Sequence, residues 1–545
     1  MIDTGLIENR EELLKRLLCY GLFPERIPPV FSSVKFGLYY YDKILKGNFN
    51  YNKKLTYKHI IYPLTQDKKV RILGIPNCIA YAQLCYLFYE HWKKLKQLLE
   101  NNWNGYYNPN MIRMQKQKKR LFVLNNYFSF WDTEEKRLVS TSKPTFNEID
   151  YKLKLITGSK YVIHLDISKF YSSIYAHAIS WALISKKTAK ELYRDDKKKK
   201  TYIKNVFDYE CFENHIMSMQ DKESFGIPIG PDTSYILADI LLSQIDKALF
   251  SRGFRFIRYI DDYYFCATNE NDLQNFVNEL RKQLYIYKLN LNDEKTEVNK
   301  FPIPLKTEWT NCLDNYILPN EKDKKFFDKL LYFIDKAVSF SEEYGARTIK
   351  YALRYVVNHY TATDLKPHIT RLYLYVLHLT YIYPYLIDCL DDLLNLCYEK
   401  SMENFLSNSL NNIIKEAIKQ NNYDTISWII YICDKYGLEL DINLLIKKNF
   451  VVKDCLCLTL LLYYLKNKGI IKNYQKTYYR FYYKELKLKS DDEFWLLEYE
   501  LFKEDIISNL NKLPKSADKK VQAKYTEKQK NYTEMKKAGI SFITI

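Results

Sequence analysis

The sequence lacks the cysteine patterns that are typical of metal-binding or disulfide-rich proteins. Its eleven cysteines are scattered, Cys455 and Cys457 are the closest pair, and no CxxC or mixed Cys/His ladder occurs. This absence argues against both a zinc site and a disulfide framework. Free thiols fit a reducing compartment, so we expect a cytoplasmic protein.

Long apolar segments are also missing. The first residues, Met1–Gly5, lead into charged residues and not into the apolar core of a signal peptide. The most apolar long stretch, Leu372–Ile387, is interrupted by His378 and Pro384, and it is too short and too polar for a membrane span. We therefore expect a soluble protein with no membrane partner.

Acidic residues are outnumbered by basic ones. The 83 lysines and arginines against 65 acidic residues give a net charge of +18, which favours a polyanionic partner such as nucleic acid. A lysine-rich composition alone would produce the same charge. The hydrophobic content of 47% excludes a disordered protein, and 545 residues are enough for more than one domain.

Two adjacent acids, Asp261 and Asp262, stand between two runs of aromatic and β-branched residues. This pattern predicts a hairpin with the carboxylates at its tip. Adjacent carboxylates repel each other, so they become useful only where a divalent cation offsets the repulsion. An ordinary solvated surface turn is the alternative interpretation.

A third acid, Asp166, ends the predicted buried strand Tyr161–Asp166, and the chain then turns into a predicted helix that runs through Trp181. An acid at a strand end is well placed to bind a metal, although aspartate is also favoured as a helix N-cap. Side by side in one sheet, the three acids would hold two Mg²⁺ ions for phosphoryl transfer, with Mn²⁺ as an alternative.

A predicted pair of strands precedes these acids. The segments Ile60–Leu64 and Val70–Pro76 are joined by a polar turn that ends in Lys69. Arg71 lies inside the second strand, and its guanidinium is suited to phosphate oxygens. A surface ion pair is the alternative role for Arg71.

A glycine-proline loop, residues 225–231, opens a predicted helix from about Asp232 to Leu249. Gly230 has no side chain, which would let a nucleotide approach the backbone closely. A plain turn before a helix is the alternative. The basic run 194–200 is predicted to be an exposed loop.

Glycine becomes rare after about Lys324, and amphipathic helices are predicted over residues 326–340, 346–360, 369–383, 404–419, 426–436 and 455–466. Their irregular spacing predicts a degenerate helical-repeat array. Residues 514–537 form a basic tail, which we expect to be an exposed helix or disordered.

The ordered set of segments resembles the palm and fingers of a reverse transcriptase. Residues 70–73 resemble the fingers motif that holds the triphosphate, residues 165–171 the first palm motif, and Tyr259–Asp262 the metal-binding hairpin. The resemblance covers roughly Leu6 to Pro304. It implies an α+β fold, with a reverse-transcriptase-like palm and fingers in residues 1–315 and an all-α, helical-repeat-like domain with the basic tail in residues 316–545.

The resemblance also implies roles for single residues. It makes Asp166, Asp261, Asp262 and Lys295 catalytic, with the metal ions held by the three acids and Ile167. It assigns nucleotide binding to Lys69, Arg71, Phe170, Tyr171, Pro228 and Gly230. Tyr171 has the position of the aromatic residue that excludes a ribose 2′-hydroxyl; a core aromatic is the alternative.

A narrower resemblance is to the bacterial abortive-infection (Abi-type) reverse transcriptases. Residues 21–29, 172–177 and 227–234 carry it, together with a helical C-terminal half in place of a thumb. It implies antiphage defence, a homo-oligomer, and DNA built on a protein hydroxyl without a template. The usual Pro-Gln-Gly is Pro228-Ile229-Gly230 here, which removes an amide that helps to hold a template.

We therefore expect a polymerase that joins dNTPs by two-metal phosphoryl transfer, without a template and primed by a tyrosine hydroxyl. Its product would be single-stranded DNA attached to the protein. Conventional RNA-templated reverse transcription is one alternative, and a helical scaffold with a vestigial palm is another. Arg354 with His359, and Arg371 with His378, also match the Arg-His spacing of HEPN-type ribonucleases, with ordinary helix residues as the alternative.

Overall fold

A computed structural model describes residues 9–51, 55–66, 69–100, 112–113, 122–123, 129–132, 137–140, 152–447, 449–486, 492–508, 510 and 519–544. Within these residues most of the chain is helical. The strands form one four-stranded sheet and three two-stranded hairpins.

The four-stranded sheet contains the segments that the sequence singles out. Its strands are β7 (Tyr161–Asp166), β8 (Phe256–Tyr259), β9 (Asp262–Ala267) and β10 (Glu297–Lys300), in the antiparallel order β10-β7-β9-β8. Alternate side chains of β9 are buried, as the period of two along a strand requires. One of them, Phe265, stacks on Phe276 of a covering helix with ring centroids 4.2 Å apart. The predicted strand and hairpin are therefore present in one sheet.

The remaining strands come earlier in the chain. The hairpin β1 (Ile60–Gln66) and β2 (Lys69–Ile75) confirms the predicted strand pair and extends it toward the turn. Two short pairs follow: β3 (Ile112–Arg113) with β4 (Phe122–Val123), and β5 (Ser129–Asp132) with β6 (Arg137–Ser140).

Helices surround the strands in the first half. They span Arg10–Tyr20, Val34–Leu45, Cys78–Glu100, Phe170–Ser173, Ala176–Ile184, Lys186–Arg194, Asp196–Asn205, Glu210–Ser218, Asp232–Ser251, Glu270–Ile286 and Glu308–Asp314.

Two sequence-based predictions in this half were wrong. The helix expected to run through Trp181 is broken at Ile174, whose backbone is extended. The basic run predicted as a loop is part of the helix Asp196–Asn205. The side chain of Asp195 caps this helix by accepting hydrogen bonds from the backbone N–H groups of Lys197 and Lys198. A capping aspartate and a run of lysines favour a helix over a loop.

The second half is a succession of helices. They span Phe326–Ser339, Ser341–Tyr344, Arg347–His359, Ala362–Leu365, Ile369–Ile382, Ile387–Leu396, Glu403–Lys419, Tyr423–Tyr436, Ile442–Leu445, Cys455–Asn467, Gln475–Phe481 and Trp495–Lys503. The six predicted helices are present with small shifts at their ends. None of the helices in the described ranges combines the length and the apolarity needed to cross a bilayer.

The basic tail is packed against the rest of the chain. Its helix, Lys519–Lys537, buries Tyr525, Lys528, Tyr532 and Met535. After this helix, Ile543 forms a β-bridge with Phe31, near the start of the chain. The expectation of an exposed or disordered tail was therefore wrong for its described part, because apolar side chains at helical spacing give this helix a buried face.

Candidate active site

The sheet places the three predicted acids at one end of neighbouring strands. Asp166, the last residue of β7, is paired in register with Asp262, the first residue of β9. Tyr259 is the partner of Asp262 across the hairpin, so Ile260 and Asp261 form its two-residue turn. The juxtaposition expected from the sequence is present in the structure.

The carboxylates are close enough to influence each other. Burial, together with the negative charges of Asp262 and Asp166, raises the pKa of Asp261 to about 7. Like charges at short range disfavour a second or third ionised carboxylate. The end of the sheet is therefore a place where an added cation would relieve repulsion.

Asp166 is held by two groups from the segment before β10. Its Oδ2 atom accepts hydrogen bonds from Lys295 Nζ at 2.9 Å and from Asn292 Nδ2 at 3.1 Å. The backbone N–H of Asn292 also donates to the carbonyl oxygen of Asp166 at 2.8 Å. The structure thus brings the predicted Lys295 to the acids and adds Asn292, which sequence reasoning missed.

His164 is a second residue that sequence reasoning missed. Its Nε2 atom lies 3.0 Å from Oδ1 of Asp262, and its ring stacks on Tyr264 with centroids 4.5 Å apart. Burial alone would lower the pKa of His164, but the hydrogen bond to Asp262, together with the negative charges of Asp262, Glu297 and Asp166, outweighs burial and raises it. The signal was available, because residues two apart on a strand share a face and His164 is two residues before Asp166.

A buried arginine hydrogen-bonds to the backbone of this turn. Ile260 has a φ of 54°, which is rare for a β-branched residue. Its carbonyl oxygen accepts a hydrogen bond from a terminal guanidinium nitrogen of Arg258 at 2.8 Å. The same guanidinium donates to Asp246 through Nε at 2.8 Å and contacts Asp239 at 3.0 Å. Because Arg258 contacts both the turn and the helix Asp232–Ser251, it fixes the position of Asp261.

The carboxylates at this end of the sheet are candidate ligands for a divalent cation. In the part of the chain that the structure describes, no three His, Cys, Asp or Glu side chains form a ready-made ligand cluster. Lys295 takes up one oxygen of Asp166, and His164 one oxygen of Asp262. Three adjacent carboxylates nevertheless have the hard oxygen donors that Mg²⁺ prefers. The donor chemistry fits a divalent cation, while the ligand geometry is not preformed.

The residues after Asp166 lie beside the turn. Ile167 is buried and forms a β-bridge with Leu291, and Phe170 is part of the core. The hydroxyl of Tyr171 is buried and has no hydrogen-bond partner among the described residues. Burial raises the pKa of this hydroxyl well above its ordinary value. A buried polar atom without a partner is unusual, and it marks a position where a bound group would supply one.

The glycine-proline loop is tied to the β1–β2 hairpin and to the N-terminal region. Gly230 has a φ of 124°, and a Cβ atom on it would lie 2.6 Å from Pro24 Cγ. Pro24 therefore accounts for this glycine without any nucleotide. Pro228 packs against Gly74 near the end of β2, where an added Cβ would lie 2.7 Å from the proline.

The two predicted cations of the hairpin do not contact the acids. Lys69 and Arg71 lie on the exposed half of β2, opposite Gln66 and Leu64. Within the described residues neither side chain forms an ion pair with a carboxylate. Their assignment to a triphosphate remains a prediction.

Part of this chain is similar to a known protein family. Residues 94–326 match the family model described as reverse transcriptase (RNA-dependent DNA polymerase). The chain therefore contains a reverse transcriptase domain, and the matched residues include Asp166, Asp261, Asp262 and Lys295. Lys69 and Arg71 precede the matched residues. A search of curated proteins found no match.

Solved telomerase structures from Candida tropicalis show only a weak likeness. Apo telomerase truncated from its C-terminal domain is 15% identical, with a TM-score of 0.28, over 46% of this chain and 51% of that one. The telomerase in complex with a TWJ fragment of telomeric RNA is 16% identical, with a TM-score of 0.29, over 74% of this chain and 68% of that one. Apo telomerase is 13% identical, with a TM-score of 0.31, over 76% of each chain. This chain thus spans about half the length of the truncated apo telomerase. TM-scores this low carry no structural argument.

Proposed function

We propose that this protein is a reverse-transcriptase-like nucleotidyltransferase that polymerises dNTPs into DNA. The observation that carries the proposal is the register of Asp166 against Asp262, with Asp261 in the adjoining turn, inside the matched reverse transcriptase residues. Asp166, Asp261 and Asp262, with the backbone of Ile167, would hold two Mg²⁺ ions, or Mn²⁺ in their place. Such ions, when bound, favour the deprotonated attacking hydroxyl and neutralise the leaving pyrophosphate.

The protein's own residues would prepare this reaction. Lys295 is a cation already next to Asp166, where it can stabilise negative charge on a departing phosphate. Arg258 holds the turn that carries Asp261. Tyr171 would lie under the sugar, with its unpartnered hydroxyl facing the bound nucleotide.

The finer proposal is synthesis without a template, started on a tyrosine of the protein itself. Ile229 supports it, because an apolar side chain stands where a glutamine would hydrogen-bond a template. The product would be single-stranded DNA covalently attached to a homo-oligomeric, cytoplasmic protein that acts in antiphage abortive infection. Conventional RNA-templated synthesis is the second candidate, favoured by the description of the matched family.

Among the tyrosines near the start of the chain, the structure separates candidates for priming. Tyr40 is buried, with only 2% of its surface exposed, so its hydroxyl cannot reach a nucleotide without unfolding. Tyr39 and Tyr41 are partly buried on the same helix, and the hydroxyl of Tyr39 lies 3.5 Å from Glu534 of the C-terminal helix. Tyr39 and Tyr41 are therefore better candidates than Tyr40.

The decisive experiment incubates nuclease-treated protein with labelled dNTPs and Mg²⁺, without primer or template. We expect label to remain on the protein through a denaturing gel. The variant Asp261→Asn should reduce incorporation by orders of magnitude, because it removes charge needed to hold the metal. Asp293→Asn is the matched control, since Asp293 is an exposed acid that is paired with Arg281 and does not contact the three acids.

Three outcomes distinguish the candidates. Label that appears only with an annealed primer and RNA template, and leaves the protein on denaturation, would establish the conventional enzyme. Near-normal incorporation by Asp261→Asn would remove the three acids from the mechanism. No incorporation under any condition would favour a scaffold with a vestigial palm.

Sugar selection gives a separate test of the nucleotide position. Replacing Tyr171 by alanine removes the ring expected beneath the sugar, so we expect the variant to gain ribonucleotide incorporation relative to deoxyribonucleotide. The measurement is the ratio of the two incorporation rates in a folded variant. An unchanged ratio would mean that Tyr171 is only a core residue. The control is Tyr235→Phe, because the ring of Tyr235 packs edge-on against Tyr171 with centroids 6.0 Å apart.

A further inference from the structure

A cavity of about 500 Å³ lies in the helical half, and none of its lining residues belongs to the candidate active site. One wall is the helix Gln475–Phe481 and its continuation Tyr482–Leu486, which winds as a π-helix. Asp505 and Ile506 also line it. π-Helical turns are rare and are frequent at functional sites.

Three cations line this cavity along one side. Lys476, Arg480 and Lys484 are exposed and follow each other at intervals of four residues. Lys476 and Arg480 lie on an α-helix, where this interval corresponds to about 6 Å along the axis and keeps side chains on one face. Lys484 follows in the π-helical continuation and lines the same cavity. Within the described residues none of the three is paired with a carboxylate, so their charges are available to a ligand.

The acidic residue of the cavity does not neutralise these cations. Asp505 Oδ1 lies 2.5 Å from Lys536 Nζ, which belongs to the C-terminal helix. Neighbouring lysines of this half are engaged in the same way, for example Lys453 with Glu485 at 2.7 Å. The cavity therefore keeps a local excess of positive charge that fits a polyanion.

Two aromatic rings stand between the cations. Tyr479 and Tyr483 have ring centroids 4.4 Å apart, and 51% of the surface of Tyr479 is exposed. Cations that follow a backbone, combined with an open aromatic face, are typical of surfaces that bind single strands, because every unpaired base can stack on such a ring. A duplex keeps its bases stacked on each other and cannot use the ring.

We propose that this cavity binds a single-stranded polynucleotide. Phosphates would contact Lys476, Arg480 and Lys484, and an unpaired base would stack on Tyr479. This site is independent of the acids, and its occupancy needs neither nucleotide nor Mg²⁺. It adds a nucleic-acid contact on the helical half to the chemistry proposed for the palm.

The test uses the full chain, without Mg²⁺ and dNTPs, and fluorescein-labelled 20-nucleotide single strands of DNA and RNA. Fluorescence anisotropy gives the affinity as a function of salt concentration. The triple variant Lys476→Gln, Arg480→Gln, Lys484→Gln should weaken binding about tenfold or more and reduce the slope of log K against log[salt] by about 2. Tyr479→Ala should weaken binding about fivefold or more.

Matched controls separate this site from the overall charge. The triple variant Lys197→Gln, Lys200→Gln, Lys204→Gln removes the same charge from an exposed helix elsewhere, and Tyr193→Ala removes a ring that is 77% exposed. Both should leave affinity within about twofold of the unsubstituted protein, since neither site combines cations and a pair of neighbouring rings with a cavity. The relative affinities for DNA and RNA identify which polynucleotide the cavity prefers.

Several results would overturn the proposal. Equal losses in the two triple variants would reduce the effect to general charge. If the cationic triple variant binds the strands more weakly but Tyr479→Ala does not, the cavity would be a site for an acidic protein or another polyanion. Duplex DNA bound as tightly as a single strand would exclude base stacking. Loss of binding in Asp261→Asn would contradict a site that is independent of the acids, whereas binding that persists while polymerisation is absent would support it.

Discussion

Two arginines in different halves of the molecule are each held by two aspartates, and the surroundings of the two clusters differ. In the sheet, buried Arg258 contacts Asp239 and Asp246 of one helix. In the helical half, Arg354 contacts Asp388 at 3.0 Å and Asp392 at 3.2 Å. The spacing is seven residues in the first cluster and four in the second, and both spacings place the acids on one helix face.

The clusters differ in their balance of charge. Asp388 has a second cation, Lys350, at 2.5 Å. Burial alone would raise the pKa of Asp388, but these cations outweigh it and lower the pKa to about 2. Asp239 shares its one arginine with Asp246, and burial raises the pKa of Asp239 to about 6. Asp388 therefore favours its ionised form, whereas burial raises the pKa of its neighbour Asp392 to about 6, as it does for Asp239. The helical cluster has two cations for its two acids and joins helices. The sheet cluster has one cation for its two acids and holds a strained turn.

The arginines of the two Arg-His pairs in the helical half are engaged in contacts with neighbouring side chains. The guanidinium of Arg354 is engaged by two aspartates, and His359 stacks on Tyr355 with ring centroids 6.3 Å apart. Arg371 contacts His368 Nδ1 at 2.5 Å. These contacts support the interpretation as ordinary helix residues and give no support to a ribonuclease site.

The largest expected effect comes from removing the sheet arginine. Arg258→Met leaves two buried carboxylates without a cation, which costs about 3–5 kcal/mol of unfolding free energy. It also removes the hydrogen bond to the carbonyl of Ile260, so nucleotide incorporation should fall in the protein that remains folded. Urea unfolding and incorporation per folded molecule are the measurements.

Two variants sharpen this prediction. Arg252→Met removes an exposed arginine paired with Glu279 and should cost under about 1 kcal/mol. Arg354→Met should destabilise the protein without changing incorporation per folded molecule, because Arg354 touches no part of the turn. Equal losses of incorporation in Arg354→Met and Arg258→Met would contradict a positioning role specific to Arg258.

The sheet cluster should also give a pH dependence. The pKa of Asp239 is about 6 when folded, above its ordinary value of 3.8, so the folded state binds the proton more tightly. Stability from this group is therefore lost as the pH rises from about 4 to about 6. Asp239→Asn keeps a hydrogen-bond acceptor for Arg258 but has no carboxyl group to titrate, so it does not lose this stability. Between about pH 4 and pH 6, its free energy of unfolding should therefore rise relative to that of the unsubstituted protein by up to about 3 kcal/mol. A constant difference at all pH values would contradict the raised pKa.

Much of the fold and the acids could be predicted from the sequence because their signals are local. The alternation in β9 and the strand that ends at Asp166 identify the sheet, and helical periodicity gives most helices of the second half. The register that pairs Asp166 with Asp262 follows once both strands join one sheet. Local patterns were therefore enough to place the three acids together.

The rest depends on contacts between distant residues, which a single sequence does not reveal. Nothing near Gly230 indicates that Pro24 fills the space beside it. Arg258 finds Asp239 and Asp246 only after a helix has folded over the sheet. The tail reaches Phe31 through Ile543, across almost the whole chain. These contacts are set by packing and charge pairing in the folded protein, not by local propensity.

Asp388 of the helical cluster should respond to pH with the opposite sign to Asp239. The pKa of Asp388 is about 2 when folded, below its ordinary value of 3.8, so the folded state favours the ionised form. Its stabilisation is present above about pH 4 and is lost as the pH falls toward 2. Asp388→Asn should therefore cost about 2 kcal/mol at pH 7, and this cost should shrink as the pH is lowered.

The two aspartate variants together decide whether the clusters differ as proposed. Urea unfolding of both, measured from pH 3 to pH 7, should give stability differences that change in opposite directions with pH. Asp42, which is exposed and lies outside both clusters, provides the control Asp42→Asn. If both variants changed in the same direction, the two clusters would have the same balance of charge. The second cation beside Asp388 would then not distinguish this aspartate from Asp239.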